Sequence, residues 1–261
     1  MTFESAMRIL ASKKNMPTEL GTDDLRAMSR QVRQFSLYSA RTTDAHYLEA
    51  LRANLQDFIN GKINEVKARE LLHGFQTKSG MDVNIHGPIT DITSDARVRL
   101  VLETNASMVE NWAYMSAGVS RDRMNQFPAW ELVRVIPKMV PRDDWDDRWE
   151  AAGGELTDDG RMVALKTDEV WKNLGDSRLF KDGTDSDAPP YAYGSGMGIR
   201  AIDRAECIDL GLIDDDYDAQ GMDAPNLGGD WLSEGPGAVL GNVLSAGVAI
   251  HEALSAIKEV I

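Results

Sequence analysis

The chain has 261 residues, 43% of them hydrophobic, and a net charge of −14, enough apolar content for a substantial core in one large domain or one domain with extensions. Its single cysteine, Cys207, excludes an internal disulfide framework and any four-cysteine zinc site. The acidity is one-sided: residues 1–142 hold 19 Lys and Arg against 16 Asp and Glu, and residues 143–261 hold 9 against 26, so the second half is repelled from phosphate and a firm grip on DNA is not expected.

The first 22 residues are weakly patterned, broken by Pro17 and Gly21, and read as an arm with about one helical turn. They lack the charged start, apolar core and cleavage site of a secretory signal, so cytoplasmic synthesis is the expectation. Thr22, Asp23 and Asp24 can cap a helix whose face carries Leu25, Met28, Val32 and Phe35 and continues toward Tyr38; residues 39–43 interrupt it. Asp44 caps a second helix with the stripe Leu48, Leu51, Leu55, Phe58 and Ile59, stopped by Gly61. A third, from about Asn64 to Phe75, places Ala68, Leu71, Leu72 and Phe75 on one side. Residues 74–87 are polar and turn-rich, a first hinge candidate.

A long, mostly buried helix follows, capped among Thr93, Ser94 and Asp95, with Val101, Met108, Trp112, Met115 and Val119 at the steps of one face. Asn105 falls on that stripe with Thr104 beside it. A polar side chain there must find hydrogen-bond partners, and we expect Asn105 to fix the helix against the strand region. After Phe127-Pro128, residues 130–136 read as a core strand; Trp145 and Trp149 lie one turn apart on a short helix ended by Gly153-Gly154; residues 161–165 read as a second strand. Residues 167–174 form a helix stopped by Gly175, residues 181–188 a loop into Pro189-Pro190, Gly194, Gly196 and Gly198 a tight turn, and residues 203–210 a helix ended by Gly211. Residues 214–236, acidic and glycine-rich, read as a mobile linker. Residues 238–261 read as an apolar helix with Gly241, Ser245, Ala249 and Ala253 on a smooth stripe, a docking element for another protein. Asn242, His251 and Glu252 interrupt it too much for a membrane span.

Motifs for chemistry mostly fail. His251-Glu252 opens like a zinc-protease helix, but Ser255 stands where the second histidine belongs. Asp214, Asp216, Asp218 and Gly221 suggest a calcium loop, yet Leu227 occupies the place of its bidentate glutamate. The Gly194, Gly196, Gly198 order is not a dinucleotide fingerprint. Cys207, with no histidine near in sequence, reads as a buried thiol, and Trp112, Trp130, Trp145, Trp149 and Trp171 as core or interface anchors. Arg99, Glu103, Thr104 and Asn105 read as a polar cluster, structural in preference to catalytic. No metal site and no cofactor are expected.

Taken in order, these features resemble the phage Mu F-like minor head proteins, or head morphogenesis proteins. The residues that carry the likeness are Phe35-Ser36-Leu37, Ser39-Ala40-Arg41, the helix ending at Gly61, Arg99 with Glu103-Thr104-Asn105, Phe127-Pro128-Ala129-Trp130, Arg142, Gly153-Gly154, and Pro189-Pro190 with residues 194–198. Many relatives have a histidine after the post-strand arginine and a Cys-Arg step after the Pro-Pro segment; residues 143–147 and 197–200 have neither, so no metal or redox role is carried over. The resemblance implies a low-copy structural protein near the portal inside the head, serving assembly, genome packaging or ejection. It implies portal and other head proteins as partners, weak contact with packaged DNA at most, and a passage from host cytoplasm to virion. The family fold is sometimes compared with ADP-ribosyltransferases, whose arginine, serine-threonine and paired-glutamate set is not recognisable here. The expectation is therefore a non-enzymatic α+β protein: a helical N-terminal region (1–87), a central domain (88–213) with a long helix on a small mixed sheet, and an acidic linker with a docking helix (214–261). A transferase-like enzyme and a nucleic-acid-binding assembly factor using the arginines of residues 26–52 are the alternatives.

Overall fold

The computed structural model describes residues 3–28, 33, 36–137 and 144–222, all within the first of two compact units, Met1–Pro225 and Asn226–Ile261. Phe35, Arg142 and the expected docking stripe of Gly241, Ser245, Ala249 and Ala253 lie outside the described residues.

The expected N-terminal arm is a helix, α1 (Phe3–Ser12). Ala6, Ile9 and Leu10 sit three and four residues apart and are buried, a stripe too short to stand out beside the breakers Pro17 and Gly21. A two-residue strand, β1 (Lys14–Asn15), follows. The helix begun at Thr22 is also shorter than expected: α2 (Thr22–Arg26) stops within two turns. Ser36 and Leu37 instead form β2 (Ser36–Leu37), parallel to β1. Arg52 fastens this corner, its guanidinium donating to the Leu10 and Lys13 carbonyls at 2.5 and 2.6 Å and to Asn15 Oδ1 at 2.6 Å.

Helices α3 (Ala45–Ile59), capped by the Asp44 carboxylate, and α4 (Glu65–Lys78), capped by Asn64, form where expected, but on α4 Ala68 and Leu72 are buried with Gln76, while Leu71 of the expected face is exposed. Between α4 and the next helix, the turn-rich segment expected as a hinge is tied by side chains. Gln76 donates to the Ile92 carbonyl at 2.9 Å, and the Asn84 N–H donates to Thr93 Oγ1 at 3.0 Å. Helix α5 (Asp95–Ala117) starts at Ser94, whose hydroxyl accepts from the Arg97 N–H. Its stripe Val101, Met108, Trp112 and Met115 is buried, and α1, α3 and α4 pack on it.

After α6 (Arg121–Gln126) comes the core strand β3 (Ala129–Arg134). It ends before Val135 and Ile136, which are exposed. Then come α7 (Trp145–Ala151), β4 (Val163–Leu165), α8 (Val170–Asn173), β5 (Met197–Ile202) and α9 (Arg204–Asp209). The α+β class holds, with one correction: the three-stranded sheet, order β4-β3-β5, is antiparallel throughout and not mixed, the parallel β1-β2 pair standing apart from it. The strand β5 was hidden by the reading of its glycines as a turn. Gly194 and Gly196, at φ +66° and +70°, do turn the chain, but Gly198 lies within β5, where a Cβ would meet Val135 at 2.8 Å.

Alternation along β3 sends Ala129 and Glu131 to one face and Trp130 and Leu132 to the other. On the first face, Ala129 packs with Val163, Ile202, Cys207 and Ile213. There the Glu131 carboxylate accepts from Arg161 at 2.9 and 3.0 Å and from Arg200. Burial pushes its acid form up, but these guanidinium hydrogen bonds hold the group below the ordinary carboxylate range. On the second face Trp130 meets Trp171 edge-on at 5.7 Å, and Trp171 meets Trp149 at 5.3 Å. All five expected tryptophan anchors are buried. The long helix joins the sheet at its C-terminal half. The Ala201 N–H donates to the Tyr114 hydroxyl at 3.1 Å, and Lys166 donates to the Gly118 carbonyl at 2.8 Å.

The start of the expected linker is packed. Asp218 accepts from Arg121 and Asn125 at 2.6 and 3.1 Å, Ala219 is buried, and the Met222 N–H reaches the Val119 carbonyl at 3.1 Å. The acidic side chains stay largely exposed, but α6 supplies a cation and an amide that hold Asp218, and with it the backbone of this segment, against the domain.

Candidate functional site

The residues one helical face apart on α5, at positions 97, 101, 104, 105 and 108, turn toward the segment after β2 and border a cavity of about 380 Å³. The site was sought on this helix at Arg99, Glu103, Thr104 and Asn105, and the structure divides that set. Arg99 is half exposed and pairs with Glu103 at 2.8 Å, with Glu65 3.5 Å away, a surface arrangement. A four-residue step keeps Arg99 and Glu103 on one side of the helix, while Thr104 and Asn105 fall around the cylinder and face the cavity. Asn105 does not bridge helix and sheet: its amide donates to the Val101 carbonyl of its own helix at 2.9 Å. The polar side chain is satisfied within one turn, which the apolar stripe could not reveal.

The cavity's polar wall is built from both sides. From α5, Arg97 reaches across to donate to the Ser39 hydroxyl at 3.0 Å. Its Nε is buried without a partner, and so are Thr104 Oγ1 and Ser36 Oγ, which line the same space. A buried donor left unmet costs about 1–3 kcal/mol, so three around one cavity form a concentrated deficit. Arg33, by contrast, is spent: it pairs with Asp185 and donates to Ser177 Oγ at 3.2 Å. Beside it, burial and the nearby Tyr193 drive the Tyr38 phenol above its ordinary value, keeping it protonated. Lys13, at the rim, is pushed down to about 8 by burial and by Arg52. The remaining lining is mixed: Leu25, Ile89, Leu100, Val101 and Met108 are apolar, while Arg41, Thr90, Thr184 and one carboxylate, Asp23, add polar and charged groups.

Arg97 and Ser36 were the missed residues. Arg97 stands one turn before Val101 on the same stripe as Asn105, so the sequence did carry a signal: a cation on a face otherwise bound for the core. Ser36, Ser39 and Arg41 belong to the stretches that carry the family resemblance, but only folding shows that they meet Thr104 and Asn105 around one cavity.

Elsewhere the charged side chains serve the framework. The Arg148 side chain, 3% exposed, donates to the Leu174 carbonyl at 3.1 and 2.7 Å, to the Tyr191 carbonyl at 3.2 Å and to Asp182 at 2.9 Å. Cys207 is buried and its thiol is pushed up to about 11 by that burial, the inert state expected of it. Among the described residues no group of three or more His, Cys, Asp or Glu side chains is placed to hold a metal ion, and no helix is long and apolar enough to cross a membrane. Comparison with protein-family models, curated proteins and solved structures gives no match.

Proposed function

We propose that this chain is a phage minor head protein, bound near the portal and acting in head assembly, genome packaging or ejection. The observation that supports the reading is the ordered run of residues that resembles the Mu F-like proteins, together with the work those residues do in the fold. Phe127-Pro128-Ala129-Trp130 leads into the central strand. A Cβ on Gly154 would meet the Trp149 ring at 2.4 Å. The cis Pro189-Pro190 segment is held by Thr184, which donates to the Pro190 carbonyl at 2.9 Å, and by Arg148 on Tyr191. Residues that set a framework suit a protein whose product is a particle.

The nucleic-acid reading loses support, because Arg33 and Arg52 are engaged inside the fold and the acidic half repels phosphate. Coexpression with the portal protein of the same phage tests the proposal: a complex that survives gel filtration is expected. Failure to bind portal, combined with consumption of NAD by the purified chain, overturns the proposal in favour of a transferase.

A further inference from the structure

We propose that the cavity beside α5 binds a small organic anion, one carboxylate or phosphate head on an apolar body, with Arg97, Ser36 and Thr104 receiving the head. Nothing in the head-protein reading requires such a ligand, and the inference stands on the cavity alone.

Three observations converge. First, Arg97, Ser36 and Thr104 line one space, and their Nε, Oγ and Oγ1 are buried without partners; Ser36 is 2% and Thr104 6% exposed, so bulk water does not serve them. All three can donate, and an oxyanion, with several lone pairs, is the acceptor that can meet them together. Second, the charge is unbalanced. Arg97 forms no ion pair among the described residues; its guanidinium donates to the neutral Ser39 hydroxyl. A guanidinium keeps its proton even when burial disfavours it, and Asp23, the one carboxylate among the described lining residues, is exposed and not paired with Arg97, so an anionic occupant supplies the compensating charge. Ordered water would satisfy the hydroxyls and leave that charge uncovered. Third, the volume of about 380 Å³ falls in the range of about 300–1,000 Å³ usual for small-molecule sites. The apolar part of the lining, Leu25, Ile89, Leu100, Val101 and Met108, suits an apolar body. A bare inorganic ion would leave that wall unused.

Calorimetric titration of the full chain with phenyl phosphate, phenylacetate, inorganic phosphate and phenol separates the parts of the claim. Saturable binding of either aromatic anion is expected, at least tenfold tighter than inorganic phosphate and than phenol; the better of the two aromatic anions identifies the head. Arg97→Met, which keeps the stem and removes the charge, should weaken that binding at least tenfold. Thr104→Val, nearly the same shape without the hydroxyl, should weaken it several-fold and serves if Arg97→Met does not fold. Arg99→Met, on the exposed face, should leave it unchanged. The proposal is overturned if neither aromatic anion saturates, if phenol or inorganic phosphate binds as tightly as they do, or if a folded Arg97→Met or Thr104→Val binds like the parent.

Discussion

Replacing Arg148 with methionine tests how the second half of the domain is held together. Methionine keeps most of the length and the apolar stem, so the cavity term is small and the loss is that of the guanidinium. The Leu174 and Tyr191 carbonyls would lose its donors at 2.7 to 3.2 Å. Leu174 and Tyr191 are both fully buried residues; the Tyr191 carbonyl keeps the Thr184 N–H at 3.2 Å, so the Leu174 carbonyl is the acceptor left unmet, at about 1–3 kcal/mol. The guanidinium also lies 4.0 Å from the Phe180 ring centre, a contact worth up to about 2 kcal/mol when desolvated. Asp182, whose side chain is 36% exposed, can turn to water and adds little. Against these stands the relieved cost of burying the guanidinium, so a net loss of about 3–5 kcal/mol is expected, the range for breaking a buried charged pair from one side. Urea unfolding followed by tryptophan fluorescence reads it. At about 2 kcal/mol per molar urea the midpoint should fall by roughly 2 M. Arg148→Lys should land in between, since one ammonium cannot span both carbonyls and the carboxylate. A loss below about 1 kcal/mol in Arg148→Met would refute the clamp.

Three further outcomes follow from single contacts. Gly154→Ala places a methyl 2.4 Å from the Trp149 indole, a large ring locked against Trp171, and overpacking of this kind should cost about 1–3 kcal/mol in the same assay. Asn105→Ala should change stability by less than about 0.5 kcal/mol, because the amide bonds only its own helix and alanine is the better helix former; a loss above 1 kcal/mol would point to a partner across the helix. Lys166 is pushed down to about 8 by burial, with Arg123 adding to the effect and Cys207 opposing it. The unfolded chain then holds one proton more above pH 8, so stability rises with pH there, by about 1.4 kcal/mol per unit. The opposite slope from Cys207, pushed up to about 11, begins near pH 9. Between pH 8 and 9 the parent should therefore gain about 1 kcal/mol on Lys166→Met, and a pH-independent difference would contradict this.

What the sequence disclosed depended on the length of each pattern. Helix α5, with five stripe positions and a serine cap, and α3, with an aspartate cap, were legible because periodicity and capping agree over many residues. Helix α1 was not, since three apolar residues before a proline carry little signal. Strand β5 was concealed by glycines that serve two purposes, turning the chain at Gly194 and Gly196 and admitting Val135 at Gly198. The candidate site was half legible. Thr104 and Asn105 stood out as polar positions at or beside an apolar stripe, while Ser36, roughly 70 residues away in the chain, lies on β2, which pairs with β1. Pairing over two residues on each strand is a tertiary event, and nothing local announces it.

Quantitative mass spectrometry of purified proheads and mature virions tests whether the chain is a component of the phage head, as proposed. The account predicts peptides of this chain in both particles, at a small fraction of the copy number of the major capsid protein, and their loss from particles assembled without portal. Absence from both particles while the protein accumulates in the lysate would contradict it.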